Sequence, residues 1–176
     1  MDILIGFSRA KSPFAIGSKI IAASEARNYS HAFILYADAV SNKQVIFQAS
    51  HGYVNIVSLV NFLEYNIISH TYKLSVGREK FKQFCIFRDE NVGNKYSRKQ
   101  IIWLFFAKLL QIKRWPSVIY NCIKNGPSEE ICSELAERVL ALLENPPVIE
   151  QLDQFTPSDL DSLLQEMKVP RGEIHQ

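Results

Sequence analysis

The stretch GPSEEICSELAERVLALL, residues 126–143, places a single cysteine near the start of an amphipathic helical pattern. Ser128 is the expected N-cap, with Glu129 and Glu130 in the first turn near the positive end of the helix dipole, so Cys132 is expected one turn in. A thiol there is drawn toward its thiolate by the dipole and the unpaired backbone amides, which makes a nucleophile near neutrality. The plainer use of such a cysteine is as a small core residue. The choice turns on whether a base comes near.

The rest of the chain permits both uses. Its 176 residues, 47% hydrophobic and 11% aromatic, suit one globular domain with a sizeable core. Twenty basic and 18 acidic residues give a formal charge of +2, which signals no nucleic-acid partner. The three cysteines, Cys85, Cys122 and Cys132, form no C-x-x-C pair and are odd in number, so neither a disulfide framework nor a zinc ribbon is implied. The opening MDILIGFSRAKSPF lacks a small-residue cleavage pattern. The longest apolar run, IIWLFFA at 101–107, falls short of the ~20 residues that span a bilayer. A cytoplasmic chain is therefore expected, with delivery by a virion or phage as the alternative.

Strands are expected early and helices late. Ile3 to Phe7 reads as a strand, followed by a loop and helix in SPFAIGSKIIAASEA with Ser12 as N-cap and Pro13 at its first position. HAFILYA (31–37) and QVIFQAS (44–50), joined by DAVSNK, read as an antiparallel hairpin. GYVNIVSLVNFLE alternates and then switches to helical spacing at Leu59, and HTYKLSV supplies a fourth strand. Arg78 to Phe87 and Ser97 to Lys113 are expected helices. FTPSDLDSLLQEM is a last helix, with Thr156 as N-cap, Pro157 next and Asp159 third, and the tail VPRGEIHQ is expected to fray.

Among four histidines, His31 opens a strand after the polar NYS, so its imidazole is expected at a sheet end, where a base belongs. His31 and Gln48 share a sheet face whenever paired residue numbers in the hairpin sum to an odd value. The Gln48 amide oxygen then accepts a proton from one imidazole nitrogen, and the other nitrogen turns to the thiol. A solvent-facing Gln48 is the alternative on pattern alone. A zinc site from His31, His51 and Cys132 has no ligand spacing behind it, and neither metal nor cofactor is expected.

The motif order resembles the circularly permuted branch of the NlpC-type papain-like cysteine hydrolases, the YiiX-like and lecithin–retinol-acyltransferase-like proteins, in which histidine strands precede the cysteine helix. MDILIGF resembles the opening strand of that family, SHAFILY its Ser-His-Val-Gly-Ile strand, and IFQAS its Val-Glu-Ala strand. GYVNIVSLVNFLE matches a Gly-Val-x-Ile-x-x-Leu-x-x-Phe segment, ICSELAERV a Tyr-Cys-Ser-Glu-Leu-Val signature, and FTPSDL a Thr-Pro-x-Asp-Leu motif. The resemblance implies an α+β, permuted papain-like fold with a small antiparallel sheet packed against helices. It implies Cys132 as nucleophile, His31 as general base and Gln48 as the orienting third residue of a thiol hydrolase or acyltransferase. It also implies a cleft lined by Tyr96.

Three departures matter. Glutamate is commoner where Gln48 stands, and an amide stabilises an imidazolium less. Ile131 replaces an aromatic before the nucleophile, removing a substrate contact. Ala32 and Phe33 replace Val-Gly, and the bulk of Phe33 narrows the cleft. The expected substrate is a small peptide, an amino-acid conjugate or a lipid carrying an amide or ester. A catalytically silent binding module on the same fold is the rival. The segment KYSRKQIIWLFFAKLLQIKRW, with Trp103, Phe105, Phe106 and Trp115 among lysines, adds a peripheral membrane contact as a further expectation, against a mostly buried helix.

Overall fold

A computed structural model describes residues 1–12, 27–50, 52–96, 129–144 and 156–174. The expected helices in 13–26 and from Ser97 to Lys113, with the Trp103 face, lie outside the described residues, as do Cys122 and His51. The described chain is α+β. Its elements are β1 (Asp2–Ala10), β2 (His31–Ala37), β3 (Gln44–Ser50), β4 (Tyr53–Ser58), α1 (Leu59–Tyr65), β5 (Asn66–Ser75), α2 (Arg78–Asn91), β6 (Lys95–Tyr96), β7 (Glu129–Glu130), α3 (Cys132–Leu143) and α4 (Pro157–Glu166). The strands form one sheet in the order β5-β1-β2-β3-β4-β6-β7. Five long antiparallel strands are extended at one edge by the two short ones, and only β6 and β7 run parallel.

The central strand explains why ILIGF does not alternate. Both faces of β1 are covered, so Ile3, Ile5 and Phe7 enter one core cluster while Leu4 enters another. The first cluster lies under α3, α4 and α2, where Leu135, Val139, Leu140, Leu160 and Phe84 are all fully buried. Each such leucine contributes roughly 1.5–3 kcal/mol through lost contact with water. The second face is covered by α1, whose Leu59 and Phe62 pack on Leu4, Phe33, Leu35 and Ile46.

The period switch at Leu59 is a helix start. Ser58 caps it, its side chain accepting from the Asn61 amide at 3.1 Å. Thr156 caps α4 in the same way, with the Asp159 carboxylate returning a bond to the Thr156 amide at 2.9 Å. The strand expected in HTYKLSV is β5, which reaches back to Asn66 because it pairs along all of β1. A bulge interrupts that pairing, Phe7 facing His70 and Ser8 facing Ile68.

Two expectations need correction. The helix of the opening stretch does not start at Ser128 with both glutamates in its first turn. Glu129 and Glu130 pair with β6 as β7, and the helix begins at Cys132. Glu134 makes that start workable, its carboxylate accepting the Ile131 amide at 3.1 Å, so Cys132 stands at the first helical position rather than one turn in. Nor is the tail frayed over its first residues. Lys73 donates to the Pro170 carbonyl at 2.8 Å, and Gly172 and Thr71 exchange bonds, so 170–172 extend the free edge of β5. A Cβ on Gly172 would stand 2.6 Å from Leu4 Cδ2 and 2.9 Å from Thr71 Oγ1, so a larger residue there must push both side chains aside. Among the described residues, no helix is long and apolar enough to cross a membrane.

Candidate active site

The hairpin register decides what His31 meets. Ile34 faces Phe47, a pair summing to an odd number, so odd residues of β2 and even residues of β3 share a face. His31 and Gln48 accordingly meet, with His31 Nε2 2.8 Å from Gln48 Oε1. Gln48 is 6% exposed rather than turned to solvent. Its Nε2 donates to Asn55 Oδ1 at 3.3 Å, directly opposite on β4, and Asn55 Nδ2 donates to the Ser50 carbonyl at 3.4 Å. On the other side Ser8 of β1 faces His31, and its hydroxyl is fully buried with no hydrogen-bond partner among the described residues. A polar row thus crosses four strands at one end of the sheet, Ser8, His31, Gln48 and Asn55.

Cys132 reaches the same end by topology. Lys95 faces Tyr53 in antiparallel β4·β6, and β7 runs parallel to β6. The chain therefore leaves β7 where β2 begins and β3 ends, and α3 starts there. Cys132 is 5% exposed and belongs to the cluster that holds Ala32 and Ala49, the chain neighbours of His31 and Gln48. Thiol and imidazole share an end of the sheet but not a face. His31 stands on the α1 side, its ring 6.4 Å from that of Phe62, while Cys132 packs on the α3 side.

The remaining expected site residues fall as follows. Ile131 is 2% exposed and serves as N-cap residue of α3. Phe33 is fully buried, its ring 4.8 Å from Phe62 and laid over Gly6, where a Cβ would stand 2.2 Å from the ring. Tyr96 takes part in β6 beside Glu130, and its side chain lies outside the described residues. Cys85 is half-buried on α2, and burial pushes its thiol up, away from reactivity at neutral pH.

Sequence reading missed Asn55 and Ser8, although strand parity in β4 and β1 carries both. It also missed a second polar cluster on the α3 side. Asp161, on α4, accepts from Tyr29 at 2.7 Å and from Tyr72 at 2.6 Å, and it bonds His70 Nε2 at 2.9 Å. The signal was there: Pro157, Leu160, Asp161 and Leu164 recur at helical spacing, and all four are buried. Burial lowers the His70 pKa despite that carboxylate, so the contact is a hydrogen bond from a neutral imidazole near pH 7. No family model matches this chain, and no curated protein matches it.

Proposed function

We propose that this chain is a thiol hydrolase or acyltransferase acting on an amide or ester, built on a circularly permuted papain-like fold of NlpC type. The observation that supports it most is the 2.8 Å bond between His31 Nε2 and Gln48 Oε1, at the sheet end from which the Cys132 helix departs. This reading requires Cys132 Sγ and His31 Nδ1 to meet at that sheet end, where Nδ1 takes the thiol proton and the thiolate attacks the carbonyl carbon. As the C–S bond forms, the carbonyl pair moves to oxygen, where the Cys132 amide at the first helical position can donate. Collapse breaks the C–N or C–O bond, and His31 returns its proton to the departing amine or alcohol. Water or an acceptor hydroxyl then attacks the thioester, regenerating the thiol. Peptidyl and fatty-acyl groups both suit this chemistry, and vesicle co-sedimentation tests whether a lipid surface delivers the latter.

A silent binding module is the second reading, and the seating of Cys132 in an apolar cluster on the opposite face from His31 favours it. Site-resolved alkylation by iodoacetamide across pH separates the two. The enzyme reading expects Cys132 to react well below pH 8 while Cys85 and Cys122 lag, and His31→Ala to remove the difference. Equal rates at all three cysteines, or reaction only on denaturation, leave the binding module.

A further inference from the structure

Amide side chains can be turned end for end, so a glutamine beside a histidine does not by itself choose which imidazole nitrogen holds the proton. Here the choice is made two residues away. The Ser50 backbone carbonyl can only accept, and it takes the Asn55 NH2 at 3.4 Å. Asn55 must then present Oδ1 to Gln48, which it does at 3.3 Å, and Gln48 must present its NH2 there and Oε1 to His31. Turning Gln48 over would set Oε1 against Asn55 Oδ1. Turning Asn55 as well would set its oxygen against the Ser50 carbonyl, which cannot turn. The polarity of the row is thus anchored in the backbone of β3, and register supports it, since Gln48 and Asn55 are a directly opposed pair.

We infer that Asn55 is a positioning residue that locks the Gln48 amide and thereby holds His31 as the Nε2–H tautomer, with Nδ1 as its basic nitrogen. The catalytic meaning rests on the proposed role of His31, but the tautomer does not. Gln48 and Asn55 do with two neutral amides what a carboxylate does elsewhere with charge.

The test is 15N NMR of histidine-labelled protein at pH 8, where the two neutral tautomers give different ring-nitrogen patterns, with His31→Gln assigning the signal. Wild type is expected to show the Nε2–H form. Asn55→Ala frees the amide to turn, and the Nδ1–H form is expected to rise to about half. Asn55→Asp gives up the bond to the Ser50 carbonyl but offers Gln48 acceptors only, so Gln48 keeps its NH2 toward it and the wild-type pattern is expected to remain. A wild-type His31 in the Nδ1–H form overturns the inference with no variant needed, and so does an Asn55→Ala spectrum identical to wild type. The alkylation profile stands apart from these readouts. A locked tautomer beside an unreactive Cys132 sinks the enzyme reading alone, and a reactive Cys132 with an unmoved tautomer sinks the role of Asn55 alone.

Discussion

Asp161 is 2% exposed, and burial by itself raises a carboxyl's pKa. Hydrogen bonds from Tyr72, Tyr29, His70 and Gln165 outweigh that and hold it at about 2, below the ordinary 3.8. A folded pKa below the unfolded one means full stabilisation above about 3.8, lost as pH falls toward 2. His70 adds an earlier loss. Its pKa is lowered from 6.5 by burial, so protonation favours the unfolded chain and stability starts to fall below that value. Urea midpoints measured against pH are therefore expected to decline below pH 6.5 and again below about 4. Asp161→Asn is expected to shrink the second decline, to which Asp2 and Asp38 also contribute, and to cost roughly 2–4 kcal/mol at neutral pH, because it strips a charged acceptor from a buried cluster. A flat midpoint from pH 7 to 3 in the wild type would refute this account. At this scale the meeting of His31 with Gln48 was legible only as a condition, because parity follows from an odd sum and the sequence left the turn, and so the sum, open. Ser8 and Asn55 were not, because their relevance appears only once β1 and β4 are known to flank that hairpin.

Element by element, the pairing of β1 with β2 depends on a missing side chain. The Phe33 ring occupies the space over Gly6, with three ring atoms less than 3.0 Å from where a Cβ would sit. Gly6→Ala is expected to force that ring out of its contact with Phe62 and cost about 1–3 kcal/mol in chemical denaturation. Gly6→Ala combined with Phe33→Leu is expected to recover part of the loss, and additive losses would place the strain elsewhere. The bulk of Phe33 thus goes with glycine on the neighbouring strand. The start of α4 was legible because Thr156, Pro157 and Asp159 stand together in sequence, whereas at α1 the change of spacing at Leu59 was legible but its cap, Ser58, was read as part of the strand. The start of α3 was misread because Ser128 with two following glutamates imitates a cap. What decides it is tertiary: an edge, β6, that takes Glu129 and Glu130 as a strand and leaves Glu134 to close the helix.

For the molecule as a whole, the C-terminal segment closes the sheet's far edge. Arg171 pairs with Tyr72 and lays its guanidinium 4.2 Å from that ring's centre, next to the Asp161 cluster. Deleting residues 170–176 is expected to lower the melting temperature by several degrees and to speed amide exchange at Lys73, whose N–H bonds the Pro170 carbonyl. Unchanged exchange at Lys73 would mean the edge is held without it. The strand order also dictates a timetable. β1 emerges before the other described strands, yet its second neighbour, β5, follows more than fifty residues later, and α3 and α4, which complete the cover over Ile3, Ile5 and Phe7, come after every described strand. Until residues 132–166 emerge, the face of Ile3, Ile5 and Phe7 lacks the α3 and α4 side chains that complete its cluster, leaving a species prone to association. The protein's hazard during synthesis therefore lasts until the Cys132 helix and the helix after it have emerged.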